Sequence, residues 1–218
     1  MNKIRLIYDL LLENYGFQGW WPINGKYNPN NYSYPRTAEQ RFEICVGAIL
    51  TQNTSWKQVE KALENLRRMN ALNPQSITSF EVNKLKQAIK PSGYFNQKAR
   101  KLKEFTTFFL QLKKEPTREE LLSIWGVGPE TADSILLYAY KKPLFVIDAY
   151  TKRVFNRIGF KEKTYDELQK LFMNNLKPDY KLFNEYHALI VEHAKKLCAK
   201  KPDCGKCFLN RMCKKIIR

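Results

Sequence analysis

The residues best able to do chemistry in this chain lie between Ile124 and Asp148, in the stretch IWGVGPETADSILLYAYKKPLFVID. Gly126-Val127-Gly128 reads as a tight turn that opens straight into a helix. Such a turn aims backbone N–H groups at whatever lies beyond the helix N-terminus, and the natural ligand there is an anion such as phosphate. Asp148 follows an apolar run and is a lone carboxylate that can face the same ligand. A fixed carboxylate can stabilise positive charge growing on a sugar, or activate a water. It can equally be the N-cap of a helix starting at Ala149. A Gly-x-Gly turn by itself is a weak signal, because ordinary packed helices are joined by such turns too.

Two further groups of residues stand out. Cys198, Cys204, Cys207 and Cys213 follow the pattern C-x5-C-x2-C-x5-C. Four thiolates this close can bind a [4Fe–4S] cluster or a structural zinc. Zinc ribbons usually bring two C-x2-C knuckles, and this chain has one. The fifth cysteine, Cys45, sits in an apolar helix and reads as core. Trp20-Trp21-Pro22 in an N-terminal loop, and Trp56 at a helix start, lie outside obvious amphipathic stripes. Stacking a base on an aromatic face is worth ~1–3 kcal/mol, and a cationic base gains more by cation–π attraction. The plainer alternative is packing of the loop. His187 and His193 do not share a helix face as an i, i+4 pair would, so packing or surface roles are expected of them. There is no P-loop, no Ser-His-Asp arrangement and no acidic metal cluster for phosphodiester hydrolysis.

The elements that must position these residues are helical. Apolar periodicity predicts helices over 3–15, 38–51, 55–68, 81–89, 96–112, 117–123, 129–140, 149–158, 164–174 and 182–197. Thr37 with Gln40 predicts a capping box at the start of the second. No convincing strand appears, and an all-α protein with short connections follows. Lys and Arg number 38 against 21 acidic residues, a net charge of +17 spread along the chain. That excess points to a polyanion such as DNA or RNA; a merely heat-adapted surface tends to balance the two signs. No apolar run approaches the ~20 residues of a membrane span. The N-terminus, MNKIRLIYDLLLENYG, carries acids and amphipathic spacing unlike a signal peptide. An intracellular protein with no membrane partner is expected, where cysteines are poor disulfide material.

Ile124 ahead of the hairpin, Thr131-Ala132 after it and Asp148 beyond form a constellation that resembles the endonuclease III branch of the helix-hairpin-helix DNA glycosylases, the HhH-GPD superfamily. The resemblance runs from about Phe42 to Cys213, carried also by GAILTQNTSW (47–56), SGYFNQKAR (92–100), VIDAYTKRVFNRIG (146–159) and the terminal cysteines. It implies two helical domains with DNA in the cleft between them. One is a six-helix barrel domain, 37–143, with the helix-hairpin-helix at about 117–140. The other is discontinuous, 1–36 plus 144–218, with the cluster loop at 198–213. It implies Asp148 as the catalytic carboxylate, Gly126, Val127, Gly128 and Thr131 at a DNA phosphate, and Gln52 in the gap left by a flipped base. It also implies a [4Fe–4S] cluster on Cys198, Cys204, Cys207 and Cys213, although the family's first gap is one residue longer; zinc is the alternative.

Bifunctional members carry a lysine directly after the hairpin, which attacks the sugar and forms a Schiff base. Glu130 occupies that position here, so the resemblance implies a monofunctional enzyme. Glu130 can also act simply as an acid at a helix N-terminus. WWP, followed by LTQNT and an aromatic two residues on, resembles the 3-methyladenine glycosylases of this branch, whose aromatics line the base pocket; Trp20, Trp21, Pro22 and Trp56 are the matching residues. The expectation is a monomeric base-excision glycosylase acting on double-stranded DNA with a damaged base, alkylated purine first. A uracil or deaminated-base glycosylase, a bifunctional glycosylase/lyase and a non-catalytic helix-hairpin-helix DNA-binding protein remain alternatives. Lys98 and Arg100 are expected at phosphates.

Overall fold

The computed structural model describes residues 2–215. Among them the regular structure is helical, and extended backbone pairs only at an isolated bridge between Ile23 and Lys26. In chain order the helices are α1 (Lys3–Tyr15), α2 (Ala38–Leu50), α3 (Trp56–Arg68), α4 (Pro74–Ser79), α5 (Val82–Ile89), α6 (Phe95–Gln111), α7 (Arg118–Leu122), α8 (Pro129–Ser134), α9 (Ala149–Ile158), α10 (Tyr165–Asn175) and α11 (Tyr180–Lys196). The chain is all-α, as the periodicity predicts. α8 runs on into a wide π turn, Ile135–Ala139, whose five residues are all buried. α4 is absent from the sequence prediction, yet its start is written plainly. Asn73 accepts a hydrogen bond from the Ser76 amide at 2.8 Å, and Pro74 takes the first helical position, where its missing N–H loses nothing.

The predicted box at Thr37 is half formed. Thr37 Oγ1 accepts from the Gln40 amide at 3.3 Å, but Gln40 Oε1 accepts from the Arg36 amide at 2.7 Å rather than from Thr37. Complete boxes appear instead at Thr117/Glu120 before α7 and Thr164/Glu167 before α10.

The described chain divides into two compact units. The first takes the described parts of Met1–Trp20, Asn28–Asn31 and Lys141–Arg218; the second takes Trp21–Tyr27 and Tyr32–Tyr140. In the second unit α2 is buried along its whole length from Phe42 to Leu50 and packs on α3, α6 and the π turn. Gly47 lets Trp21 approach closely there: a Cβ would stand 3.1 Å from the indole Nε1, a tight contact that the ring would have to yield to. Lys98 corrects an expectation. It is buried, and its ammonium donates to the carbonyls of Leu50 at 2.8 Å and Ser92 at 2.7 Å. Burial, helped by the charge of Lys101, lowers its pKa to about 8. Lys98 ties the end of α2 to the turn before α6 and is not a phosphate contact.

In the first unit α11 is the buried centre, packed on α1 and α9. Around it Phe145, Phe155, Phe172, Phe183 and Tyr186 form an aromatic core. Phe145 stacks on Phe172 with centroids 3.8 Å apart, and Tyr186 donates to the Ile4 carbonyl at 2.8 Å. The run Phe145-Val146-Ile147 is fully buried. It is the apolar tether that leads into Asp148. No described helix is long and apolar enough to cross a membrane. Phe145→Ala should therefore destabilise the first unit by about 3–5 kcal/mol in urea unfolding; a change under 1 kcal/mol would show that the tether is not held by this core.

Candidate active site

Asp148 is the N-cap of α9, with extended backbone (φ −105°, ψ −178°). Its Oδ1 accepts from the Thr151 amide at 2.7 Å. Its Oδ2 lies 3.5 Å from Nε2 of His187 on α11, within ion-pair distance, and both side chains are largely buried. Burial alone would push this carboxyl up. The proximity of His187, with the hydrogen bond from the Thr151 amide, outweighs it and leaves the pKa below the ordinary aspartate value. The Trp20 ring lies 5.7 Å from that of His187 between centroids, at 81° between planes. The Trp20 carbonyl accepts from Asn184 Nδ2 at 2.9 Å, one turn before His187 on α11.

The hairpin belongs to the second unit. α7 and α8 are clamped by a two-pronged ion pair: Arg118 Nε and Nη2 reach Asp133 Oδ1 and Oδ2 at 2.7 and 3.2 Å, with Asp133 fully buried. Gly126 has φ +80°, the left-handed region that favours glycine. A Cβ there would also meet the Lys101 side chain at 2.4 Å. Gly128 caps α8 with ordinary extended backbone, and space lies open where its Cβ would be. Gln52, just past α2, braces the turn. Its Nε2 donates to the Gly126 carbonyl at 3.1 Å and to Thr131 Oγ1 at 2.9 Å, while Lys101 Nζ donates to its Oε1 at 2.5 Å. Arg100 pairs with Glu104 at 2.7 Å and lies 4.0 Å over the half-exposed ring of Trp125.

The four C-terminal cysteines are free thiols in the first unit. Burial raises the Cys207 thiol, and the charges of Cys198, Cys213 and Cys204 add to it, so the four lie within electrostatic reach of one another. Arg157 on α9 wraps the loop, donating to the carbonyls of Ala199 at 2.6 Å, Cys198 at 3.1 Å and Lys200 at 3.1 Å. Arg157 Nη1 also approaches Cys198 Sγ at 3.4 Å, and the Lys215 amide donates to Cys213 Sγ at 3.3 Å. Among the described residues no three His, Cys, Asp or Glu side chains converge as a single metal ion requires.

Residues 46–178 match the HhH-GPD family, described as HhH-GPD superfamily base excision DNA repair protein. The chain belongs to that superfamily. It is a DNA glycosylase of base excision repair. A Methanocaldococcus jannaschii protein named provisionally as a DNA repair glycosylase is 47% identical over 97% of this chain and 97% of its own length. The solved structure of an H. pylori 3-methyladenine DNA glycosylase bound to 1,N6-ethenoadenine is 32% identical, with a TM-score of 0.70, covering 88% of this chain and 95% of that one. An endonuclease III–DNA complex shares the fold, with a TM-score of 0.79 at 21% identity over 98% of this chain and 94% of that one.

In this HhH-GPD protein the residues singled out from sequence sort by unit. Asp148, Trp20 and the four cysteines lie in the first. Gln52, Gly126, Val127, Gly128, Glu130, Thr131, Trp21, Pro22 and Trp56 lie in the second. Trp20 and Trp21 are thus parted. Trp21 is buried between Trp56, at 5.0 Å, and Tyr138, at 4.9 Å. Pro22 and Trp56 share the wall of a cavity of about 250 Å³ with Glu43 and Glu60, and Trp56 Nε1 donates to Glu60 at 2.9 Å. Glu130 sits in the exposed first turn of α8. His187 is the site residue that sequence reasoning missed. Its one signal was a run of polar residues, Asn184, Glu185 and His187, among the apolar residues of α11. The two hairpin glycines should separate by experiment. Gly126→Ala should lose about 1–2 kcal/mol from left-handed strain, while Gly128→Ala should lose less, through its poorer N-cap, and weaken DNA binding in a titration; a larger stability loss at Gly128 would contradict the geometry.

Proposed function

We propose that this chain is a monofunctional DNA glycosylase that hydrolyses the N-glycosidic bond of an alkylated purine, 3-methyladenine first, flipped out of double-stranded DNA. The observation that carries the reading is an aspartate held ionised, Asp148, in a chain whose residue after the hairpin is Glu130 instead of lysine. An enzyme that acts on a base must take it out of the stack, and damaged bases leave most cheaply. Fission then builds positive charge on the sugar, and a carboxylate beside it stabilises that charge. The depressed pKa of Asp148 favours this electrostatic role over proton abstraction, because a weakly basic carboxylate is a poor general base. Glu130 cannot form an imine, so water is the nucleophile.

Support for the substrate comes from the H. pylori relative, whose bound ligand is a modified adenine. Trp20, in the same unit as Asp148, is the aromatic face assigned to stacking. A cationic purine gains from that face by cation–π attraction, and its own charge already activates it as a leaving group. The hairpin at Gly126–Gly128, with Thr131, holds a backbone phosphate and carries no sequence information. Cys198, Cys204, Cys207 and Cys213 would hold a [4Fe–4S] cluster, whose contribution is to order the loop. The donor chemistry fits: four free thiols, two of them approached by N–H donors of the kind that tune cluster sulfurs.

Asp148→Asn should lower single-turnover base release by at least about 100-fold and leave DNA affinity nearly intact; release that survives overturns the mechanism. Release should be measured across duplexes carrying 3-methyladenine, uracil, thymine mismatch, 8-oxoguanine and thymine glycol. Release of uracil alone would defeat the aromatic-pocket argument. A covalent adduct trapped by borohydride would defeat the monofunctional reading. Purified anaerobically, the protein should be brown and carry about four irons per chain; a colourless protein holding zinc defeats the cluster assignment.

A further inference from the structure

We propose that His187 is a positioning residue for Asp148: its ring stands between the carboxylate and the Trp20 indole in the contacts it makes, and orients both. The proposal rests on the reading of Asp148 as the catalytic carboxylate.

The argument starts from one face of α11. Asn184 and His187 are three residues apart and so lie on the same side of the helix. Asn184 fixes the Trp20 backbone through its carbonyl, at 2.9 Å. His187 then places one ring edge against the Trp20 indole, at 81° between planes, and its Nε2 3.5 Å from Asp148 Oδ2. Asp148 Oδ1 is already taken by the Thr151 amide. The second oxygen faces His187 Nε2 at 3.5 Å. A charge largely removed from water is costly unless paired, and this ring nitrogen stands at ion-pair distance. Burial would otherwise protonate this carboxyl more readily, and the proximity of His187, with the Thr151 amide, reverses that.

Several other charged groups of the packed elements are engaged elsewhere, while Lys152 on α9 and Lys181 and Lys195 on α11 are further cations of these helices. On α9, Arg153 donates to the carbonyls of Cys198 and Ala194, each at 2.9 Å. On α11, Glu185 accepts from the Gln18 amide at 2.6 Å and Glu192 pairs with Lys196 at 2.7 Å. Tyr15, at the end of α1, contacts His193 at 3.1 Å. Trp20 and Thr151 are neutral. His187 is the group whose nitrogen stands at ion-pair distance from Asp148.

The sign follows directly. Base release needs the carboxylate, so it falls as pH drops through the Asp148 pKa. Removing His187 raises that pKa, and the acid limb of the rate profile moves toward neutral pH. His187→Gln keeps an N–H donor near the position of Nε2 and removes the ring; His187→Phe keeps a ring and removes the donor. In the full-length protein the Asp148 carboxyl can be followed by ¹³C NMR, its resonance assigned by its loss in Asp148→Asn. In His187→Gln the resonance and the acid limb of 3-methyladenine release should move up together by about one pH unit, a tenfold loss of rate at fixed pH on that limb. His187→Phe should move them further. A thermal midpoint near that of the parent shows that each variant is folded.

If both variants fold and neither the resonance nor the acid limb moves, the proposal is overturned. A measurement on the unaltered protein guards against variants that fail to fold. The Asp148 resonance should titrate below the ordinary aspartate value, and a midpoint above that value overturns the proposal by itself. The underlying reading fails separately, if Asp148→Asn still releases base. An inactive Asp148→Asn with an unshifted His187→Gln removes only the role of His187.

Discussion

The N-cap hydrogen bond from the Thr151 amide to Asp148 is the constraint on which the first unit's chemistry depends. Capping and catalysis look like rival explanations of an aspartate before a helix, but here one geometry serves both. The cap fixes one carboxylate oxygen and, with it, the direction of the other. The positive end of α9 favours the same negative charge. The buried run Phe145-Val146-Ile147 sets where the cap sits, with Phe145 packed among Phe172, Phe183 and Tyr186. Asn caps a helix about as well as Asp. Charge and position at residue 148 are therefore chemically separable, which makes the amide a sharper probe than alanine.

The hairpin is held by a different kind of interaction. Its two helices are short, and Arg118–Asp133, Gln52 and Lys101 supply what their length does not. A buried carboxylate such as Asp133 is stable only with its partner in place. The bracing bears on Gln52, whose amide is engaged with Gly126 and Thr131. A role in the gap left by a flipped base requires those two hydrogen bonds to be exchanged for contacts to DNA. Charge also needs to be sorted residue by residue. A net +17 invites the reading of every lysine as a phosphate contact, yet Lys98 is a buried strut between two carbonyls.

The helices were legible because their apolar periodicity is strong and their caps are explicit. α4 escaped because six residues hold too little periodicity to register, although Asn73-Pro74 announced it. The GVG turn and Asp148 were legible as a pair because one short stretch carries both. His187 was not, since it meets Asp148 only through the packing of α11 on α9. A histidine on a buried face looks like core until the fold shows what lies opposite it. The box at Thr37 was half right for a related reason: the glutamine that completes it had the Arg36 amide as a competing donor, and spacing does not rank donors.

The adjacent tryptophans carry the last step. Trp21 fills the space left by Gly47 and packs on Trp56 and Tyr138, so a change there acts first on the core of the second unit. Large buried aromatics dominate such cores. Trp20 belongs to the first unit, where its neighbour is the imidazole that holds Asp148. A change at Trp20 therefore acts on the surroundings of the carboxylate and on the ring available to a base. Stability and base preference are divided between consecutive residues. Effects on the two should separate in variants of Trp20 and Trp21, although the sequence presents them as one aromatic motif.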